Sequence, residues 1–179
     1  MYTQKFRRIV ALCAILAAAA GCSGDRASAI TGPPPAENDL LFFGGSGLIS
    51  CPNYEPQSAL LTVDPLLGGS LSIPGVSVNV PAGAVLETTV FVVSVPFTRY
   101  AEVRIYPVGL SSFLFQTDIE VTIDYGRCWR PALDAQPLEA WHVSTLFRTK
   151  LEEMPSVDDK VARRVTFRTN HLSSYALAE

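Results

Sequence analysis

The chain has 179 residues, of which 17% are charged, and its 14 basic and 17 acidic side chains give a formal charge of −3. It contains no stretch rich in lysine or arginine, so the composition argues against nucleic acid as a partner. The length allows one domain with its own hydrophobic core and a leading segment, and it is too short for two such domains.

The first residues have the order of a secretory signal. Three basic residues lie within the first eight positions, and residues 9–20 form an apolar run without charge or proline. This run of about 12 residues, at 1.5 Å per residue, is too short to cross the ~30 Å apolar core of a bilayer. Gly21 and Cys22 follow it. The pattern predicts a signal peptide over residues 1–21 rather than a permanent membrane anchor.

The sequence AAGC at residues 19–22 resembles the bacterial lipobox, in which small residues precede a cysteine that becomes the lipid-bearing first residue of the mature chain. The usual leucine of that motif is replaced here by Ala19. The resemblance implies that Cys22 carries palmitate-type acyl chains and attaches the protein to a membrane of the cell envelope. Ser23 favours the outer over the inner membrane, with the protein periplasmic or surface-exposed. The alternative is ordinary secretion with cleavage near Ala20.

Four cysteines are present in the chain. Cys13 lies in the predicted signal and Cys22 is the predicted lipid site, which leaves Cys51 and Cys128. An even pair in an oxidising compartment predicts a disulfide. A two-ligand metal site or two buried thiols remain alternatives, although neither cysteine has a histidine near it in sequence. We predict no metal site and no cofactor.

Composition divides the remainder into a linker and a domain. Residues 22–50 are predicted to be a flexible linker rich in proline and glycine, with three consecutive prolines at residues 33–35. Residues 51–179 are predicted to form one all-β domain. Within it, residues 131–135 and 156–160 are each predicted to make one helical turn. The second of these contains an acidic pair, Asp158 and Asp159, for which we expect a solvated turn.

The β prediction rests on the period of the apolar side chains. From residue 60 onward apolar and polar residues alternate as in half-buried strands, and residues 89–95 form a nearly continuous apolar run. Turns rich in glycine and proline separate these segments. Short strands at such intervals are typical of an antiparallel β-sandwich. The predicted strand segments are 61–63, 71–73, 76–80, 89–95, 103–105, 113–115, 119–125, 139–143, 162–168 and 175–177.

Several motifs of this region resemble those of ZU5-type domains, in which a Gly-Gly turn leads a strand and a second strand ends in Pro-x-Gly-Ala. The matching segments are GGSLSI (68–73), VSVNVPAGAV (76–85), residues 88–95, residues 107–122 and the closing HLSSYA (171–176). The resemblance covers residues 60–179. It implies a ZU5-like β-sandwich used for interaction and tethering, without an enzyme cofactor.

In some ZU5 domains and in the related GAIN domains, His-Leu/Phe-Ser is an autoproteolysis site, and the same residue types occur here as His171, Leu172 and Ser173. By that resemblance His171 would be the general base, Ser173 the nucleophile and Leu172 the acyl donor. The reaction also requires a strained bend. The alternative is structural, with His171 hydrogen-bonding a bend before the last strand. A structural role is also predicted for His142, which follows Trp141 in an alternating strand.

The sequence therefore predicts a membrane-anchored extracytoplasmic lipoprotein that is not an enzyme and whose β-sandwich is an interaction or structural module. Its partner is an unidentified protein or glycan. Two hypotheses of other classes remain open. One is self-cleavage between Leu172 and Ser173, and the other is binding of a carbohydrate or a peptide, because a β-sandwich does not by itself define a function.

Overall fold

A computed structural model describes residues 47–51 and 55–179 of the chain. In these ranges the backbone is mostly β-strand, arranged in two antiparallel sheets, which confirms the all-β prediction. The predicted signal peptide, the lipid site Cys22 and the linker as far as residue 46 lie outside the described residues. Within the part that is described, no helix has the length and apolar character needed to cross a membrane.

The strands are β1 (Gln57–Val63), β2 (Gly69–Ile73), β3 (Val76–Val80), β4 (Thr89–Val95), β5 (Glu102–Pro107), β6 (Leu114–Asp124), β7 (Glu139–Val143), β8 (Lys150–Met154), β9 (Ser156–Asp159), β10 (Arg164–His171) and β11 (Ser174–Ala178). Two 3-10 helices, η1 (Gly126–Cys128) and η2 (Pro131–Asp134), lie between β6 and β7. The first sheet has the order β1-β4-β5-β11-β7-β8, and the second has the order β2-β3-β6-β10-β9.

Alternating apolar side chains fix the register of the strands. In β3, Val76, Val78 and Val80 are buried, whereas the residues between them are partly or fully exposed. Val78 lies opposite Val121 of β6, and Val121 lies opposite Phe167 of β10. A slip of one residue would turn all of these side chains to solvent. The apolar side chains of the two sheets form one continuous core, so the architecture is sandwich-like.

The chain passes between the two sheets at two very short corners. Pro155 alone separates β8 from β9, and Leu172 and Ser173 alone separate β10 from β11. The register of β10 against β6 shifts between Thr169 and His171, just before the second corner. Such a bulge bends a strand, which here turns the end of β10 toward the first sheet. Near this corner β10 also contacts β7 and β8 of the first sheet.

The segment Ser156–Asp159 corrects one sequence prediction. We predicted a helical turn over residues 156–160, whereas residues 156–159 form β9 and pair with β10. Val157 lies opposite Thr166 in this pairing, so the backbone hydrogen bonds of β10 override a weak local helix preference. The helical turn predicted near Pro131 is confirmed as η2.

The packed domain begins before the predicted boundary at residue 51. Residues 47–50 were expected in the linker, but Ile49 is 1% exposed and belongs to the core. The backbone nitrogen of Ile49 donates to the carbonyl of Leu177 over 2.9 Å, and its own carbonyl accepts from Ala101 over 3.3 Å. These hydrogen bonds place residues 47–50 beside β11 and β5, where they are part of the folded unit.

Cys51 and Cys128 form a disulfide, as predicted, with Cα atoms 4.6 Å apart. Cys51 is 1% exposed and Cys128 is 8% exposed, so the bond lies within the core. It joins the segment before β1 to η1 across a sequence separation of 77 residues. The disulfide therefore ties the beginning of the folded unit to the middle of the domain.

Candidate functional site

The two histidines of the chain meet at the edge of the sandwich where β10 faces the first sheet. His142 lies on β7 of the first sheet, and His171 is the last residue of β10 in the second sheet. Their rings are in edge-to-face contact, with centroids 5.2 Å apart. Because the two residues are far apart in sequence and belong to different sheets, the fold alone brings them together.

Glu152 on β8 completes a group of three side chains that have metal-ligand chemistry. Its Oε2 is 3.9 Å from Nδ1 of His142 and 3.8 Å from Nε2 of His171. One ligand atom from each residue lies within 4.8 Å of the other two. The side chain of Glu152 is 59% exposed, while those of His142 and His171 are 23% and 30% exposed. The group is therefore open to solvent on the Glu152 side and backed by protein on the other.

Strand register determines this arrangement. Residues directly opposite each other in antiparallel strands project from the same face of a sheet. Tyr175 of β11 lies opposite His142, and His142 lies opposite Glu152. Since Tyr175 is buried in the core between the sheets, His142 and Glu152 share the face that turns toward the second sheet. His171 reaches them from that second sheet, at the bulge that precedes the two-residue corner.

Buried polar groups orient His171. Thr169, which is 4% exposed, has its Oγ1 3.2 Å from Nδ1 of His171, and its hydroxyl donates to the carbonyl of His171 over 3.2 Å. The phenol of Tyr175 donates to the same carbonyl over 2.5 Å. Oγ1 is thus placed to accept from Nδ1–H in the tautomer of His171 that carries its proton on Nδ1. That tautomer leaves the lone pair of Nε2 directed toward Glu152.

Burial lowers the pKa of His142 and raises that of the neighbouring Tyr175. It is the largest cause that lowers the pKa of His142 below 6.5, and the charge of His171 lowers it further, whereas the charge of Glu152 raises it. Burial also raises the pKa of Tyr175 well above 10, which keeps its phenol a hydrogen-bond donor. Neutral imidazole is the form of histidine that binds metals. The arrangement can thus offer two nitrogens and one carboxylate oxygen to a cation.

Leu172 and Ser173, the residues of the predicted cleavage site, form the corner between β10 and β11. They border a surface groove of about 470 Å³. The Ser173 carbonyl accepts from the backbone nitrogen of Ile105 over 3.0 Å. The ring of His171 is directed to Thr169 and to Glu152, and in the described ranges no hydrogen bond joins it to the Ser173 hydroxyl. Self-cleavage was the alternative hypothesis, and this arrangement supplies no general base in place for it.

Sequence reasoning identified His171 as a candidate but not its partners. It predicted a structural role for His142 and did not single out Glu152. The sequence does contain a signal that could have paired His142 with Glu152, because these two residues flank a turn and lie opposite each other in the β7–β8 hairpin. The signal is weak, since β8 has the sequence KLEEM, in which charged residues hide the strand period. Nothing in the local sequence around His171 indicates that it lies beside His142 and Glu152.

Two carboxylates outside this group, those of Glu102 and Asp158, are buried, and their contacts point to a structural role. The side chain of Glu102 has no exposed surface, and it lies on the opposite face of β5 from the core residue Val103. Its Oε1 accepts from Nε of Arg104 over 2.9 Å, and its Oε2 accepts from Nε of Arg148 over 2.8 Å. Both oxygens of Glu102 have hydrogen-bond partners, so this residue is better explained as part of an ion-pair network than as a metal ligand.

Asp158, expected in a solvated turn, is instead the centre of a hydrogen-bond network, with a side chain that is 4% exposed. Its Oδ1 accepts from the phenol of Tyr125 over 2.9 Å, and its Oδ2 accepts from the backbone nitrogen of Leu138 over 2.8 Å. Lys160 forms an ion pair with Oδ2 at 2.7 Å. The network fixes β9 against the segment that leads into β7.

The fold and the disulfide define this protein as an all-β domain of two antiparallel sheets with a covalent cross-link in its core. Comparison with protein-family models, with curated proteins and with solved structures found no match.

Proposed function

We propose that this chain is a lipoprotein of the bacterial cell envelope whose ZU5-like β-sandwich is an interaction or structural module. The observation that carries the proposal is the disulfide between Cys51 and Cys128. Structural disulfides form and persist in oxidising compartments and are rare in the cytosol. The export signal is an independent argument for the same location, because residues 1–22 combine a basic start, a short apolar run and a lipobox-like end.

In this proposal residues 1–21 are removed and Cys22 carries the acyl chains. One acyl chain gives only marginal membrane binding, whereas two or more hold firmly, since each buried CH₂ contributes ~0.8 kcal/mol. Residues 23–46 would separate the bilayer from the folded unit, which includes Gly47 through its hydrogen bond with Glu179. Ser23 favours the outer membrane, with the domain in the periplasm or at the cell surface.

Exposed apolar side chains at one end of the sandwich support a binding role. Leu66 and Leu67, in the turn between β1 and β2, are 83% and 85% exposed, and Leu86 is 82% exposed. The two loops are neighbours, because the backbone nitrogen of Gly83 donates to the carbonyl of Pro65 over 2.8 Å. Exposed apolar side chains on neighbouring loops are candidates for a contact surface, whereas a single one needs no explanation. We expect a protein, peptide or glycan partner rather than nucleic acid.

Metabolic labelling with palmitate tests the anchor. The full chain, expressed in a bacterium that processes lipoproteins, should incorporate the label and fractionate with the outer membrane. The Cys22→Ala variant should lose the label, whereas Cys13→Ala, which alters a cysteine of the predicted signal, should keep it. An unlabelled wild-type chain, or a mature protein that begins at a residue other than Cys22, would contradict the lipoprotein proposal.

Crosslinking in native membranes tests the partner. The full chain should capture a specific protein or glycan, and a Leu66→Ser/Leu67→Ser/Leu86→Ser variant should lose most of it. Val161→Ser is a matched control, because Val161 is 97% exposed in the separate turn between β9 and β10. Equal capture by both variants would exclude the loop surface as the contact site.

A further inference from the structure

We propose that His142, Glu152 and His171 bind one divalent transition-metal ion of the Zn²⁺ class and leave at least one coordination position open. The inference goes beyond the proposed function and does not depend on the lipid anchor. It rests on a convergence that the fold produces: both histidines of the chain and a carboxylate, from three strands in two sheets, direct one ligand atom each to a common point.

The donor atoms select the class of ion. Imidazole nitrogen suits Zn²⁺, Cu²⁺ and Ni²⁺, whereas Mg²⁺ and Ca²⁺ prefer sites made of oxygen. Two imidazoles and one carboxylate are also a set that zinc proteins use with an additional water or substrate ligand. The two cysteines of the described residues are joined in the disulfide, so they are not available as thiolate ligands. The expected ion is therefore bound by nitrogen and oxygen.

The spacing of the ligand atoms is close to that of a bound site. Zn–N and Zn–O bonds of about 2.0–2.2 Å place ligands of a tetrahedral site about 3.3 Å apart. The carboxylate oxygen of Glu152 is 3.9 Å and 3.8 Å from the two imidazole nitrogens, and all three ligand atoms lie within 4.8 Å of one another. Binding therefore requires the Glu152 oxygen to approach each nitrogen by about half an ångström and the two nitrogens to approach each other by up to about 1.5 Å. The Glu152 side chain, which is 59% exposed, is free of dense packing and can make that approach.

Buried residues behind the ligands give the site a second layer of support. Metal-binding histidines generally use their other ring nitrogen to donate to a fixed acceptor. Nδ1 of His171 has such a partner in Oγ1 of Thr169, 3.2 Å away, and Oγ1 is in turn 3.1 Å from the phenol of Tyr175. The ring of His142 is 6.0 Å from the ring of Tyr175. The ligands lie on strands or at a strand end, which position side chains better than mobile loops.

The open side of the site faces solvent. Three protein ligands leave a fourth position of a tetrahedral ion for water or for an external group such as a carboxylate or an imidazole. The partial exposure of all three side chains means that such a group can reach the ion. The site is thus suited to an exchangeable ligand, in contrast to closed structural zinc sites in which the protein supplies all four ligands.

Titration calorimetry with ZnCl₂ tests the proposal. The full chain, purified from a whole-cell detergent extract without a polyhistidine tag and stripped with a chelator, should bind one Zn²⁺ and no Mg²⁺ or Ca²⁺. His142→Gln and His171→Gln should each weaken Zn²⁺ binding by more than about 100-fold, because loss of an outer partner alone costs about 10- to 100-fold. Glu152→Gln should weaken it by at least about 10-fold.

Glu153→Gln is the matched control. Glu153 is the next residue on β8 and lies opposite Trp141, so it projects from the other face of the sheet. This variant should bind Zn²⁺ as the wild type does. The proposal is overturned if the wild type shows no saturable Zn²⁺ binding, or if all four variants bind equally. Circular dichroism of each metal-free variant identifies any that fails to fold.

Histidine ring NMR of the wild type keeps the proposal testable even if a variant does not fold. The geometry requires that Zn²⁺ bind Nε2 of His171 and Nδ1 of His142, since these atoms face Glu152. The ¹⁵N resonances of these two nitrogens should therefore shift on addition of one equivalent of ZnCl₂, while Nδ1 of His171 stays protonated. Unchanged ring resonances, or binding through the opposite nitrogens, would overturn the site as described.

Discussion

Nε of Arg148 donates to Oε2 of Glu102 over 2.8 Å, and this ion pair connects the turn between β7 and β8 to β5 across the intervening strand β11. Arg148 has a φ of 55°, in the left-handed region that few residues other than glycine adopt. The turn is therefore maintained by a side-chain contact that outweighs a local backbone cost. The strands on either side of this turn carry His142 and Glu152, so the ion pair also helps to position them.

We expect Arg148→Asn to lower the free energy of unfolding by about 1–3 kcal/mol, because it leaves the buried carboxylate with one partner. Asparagine tolerates the left-handed conformation, so the loss reports the side-chain contacts of Arg148, with Glu102 and with the carbonyl of Thr145, rather than the backbone. Urea unfolding measures it. Arg168→Asn, which breaks an exposed pair with Glu120, should change stability by less than about 1 kcal/mol. Equal effects of the two variants would contradict this explanation.

The phenol of Tyr125 should lose its proton at a higher pH than that of an exposed tyrosine. Burial, followed by the hydrogen bond to Asp158 and its charge, raises the pKa of Tyr125 well above 10. Because the folded pKa is above the unfolded value, the contribution of the neutral phenol to stability is complete below pH 10 and is lost as the pH rises toward the folded pKa. Tyr125→Phe should therefore make the loss of stability above pH 10 less steep, as followed by circular dichroism.

Asp158→Asn tests the cause of that shift. Removal of the charge should move the phenolate absorbance of Tyr125 in the folded protein to lower pH. It should also lower the free energy of unfolding by about 1–3 kcal/mol, because the amide nitrogen cannot accept all the hydrogen bonds of the carboxylate. Asp118→Asn, at an exposed position of β6, is the control and should change neither quantity. An unchanged Tyr125 titration in Asp158→Asn would refute the role given to this carboxylate.

Removal of the disulfide should destabilise the domain strongly. The bond spans a sequence separation of 77 residues, for which the chain-entropy model gives about 4 kcal/mol. We expect Cys51→Ala/Cys128→Ala to lower the free energy of unfolding by up to that amount in urea unfolding. A reducing agent should destabilise the wild type similarly and leave the double variant unaffected. Sensitivity of the double variant to the reducing agent would show that the effect arises elsewhere.

The peptide bond between Leu172 and Ser173 should remain intact. His171 is oriented by Thr169 and directed to Glu152, and Ser173 Oγ has no hydrogen bond to it within the described residues. Intact mass of the folded protein under denaturing conditions should give a single species that contains residues 173–179. A species shortened by these residues, absent from Ser173→Ala, would instead establish self-cleavage.

Thr169 should affect metal affinity without contacting the metal. We expect Thr169→Val to weaken Zn²⁺ binding by about 10-fold or more, because Nδ1 of His171 loses its acceptor. Thr169→Ser keeps the hydroxyl and should restore most of the affinity. The ring NMR signals of His171 should show the two tautomers mixed in the valine variant only. Equal Zn²⁺ affinity in the valine and serine variants would mean that Thr169 acts through packing alone.

The sequence predicts what is local in this fold. The alternation of Val76, Val78 and Val80 predicted a strand, and the parity of the cysteines predicted the disulfide; both are confirmed. The sequence prediction failed for strands that form only because a neighbouring strand pairs with them. β8 and β9 contain charged residues and short apolar patterns, and they exist because β7 and β10 offer them hydrogen bonds. The convergence of His142 and His171 depends on such pairings, whose signals in the sequence are weak, and on a bulge that has no signature in the chain.

The position of β11 has a consequence for biosynthesis. It is the last of the described strands in chain order, yet it lies between β5 and β7 in the interior of its sheet. Until residues 174–178 have left the ribosome, each of those strands has an unpaired edge, and unpaired edges are templates for association with other chains. Sheets in which the paired strands are far apart in sequence also form slowly. The sandwich can therefore be completed only after this segment has been translated.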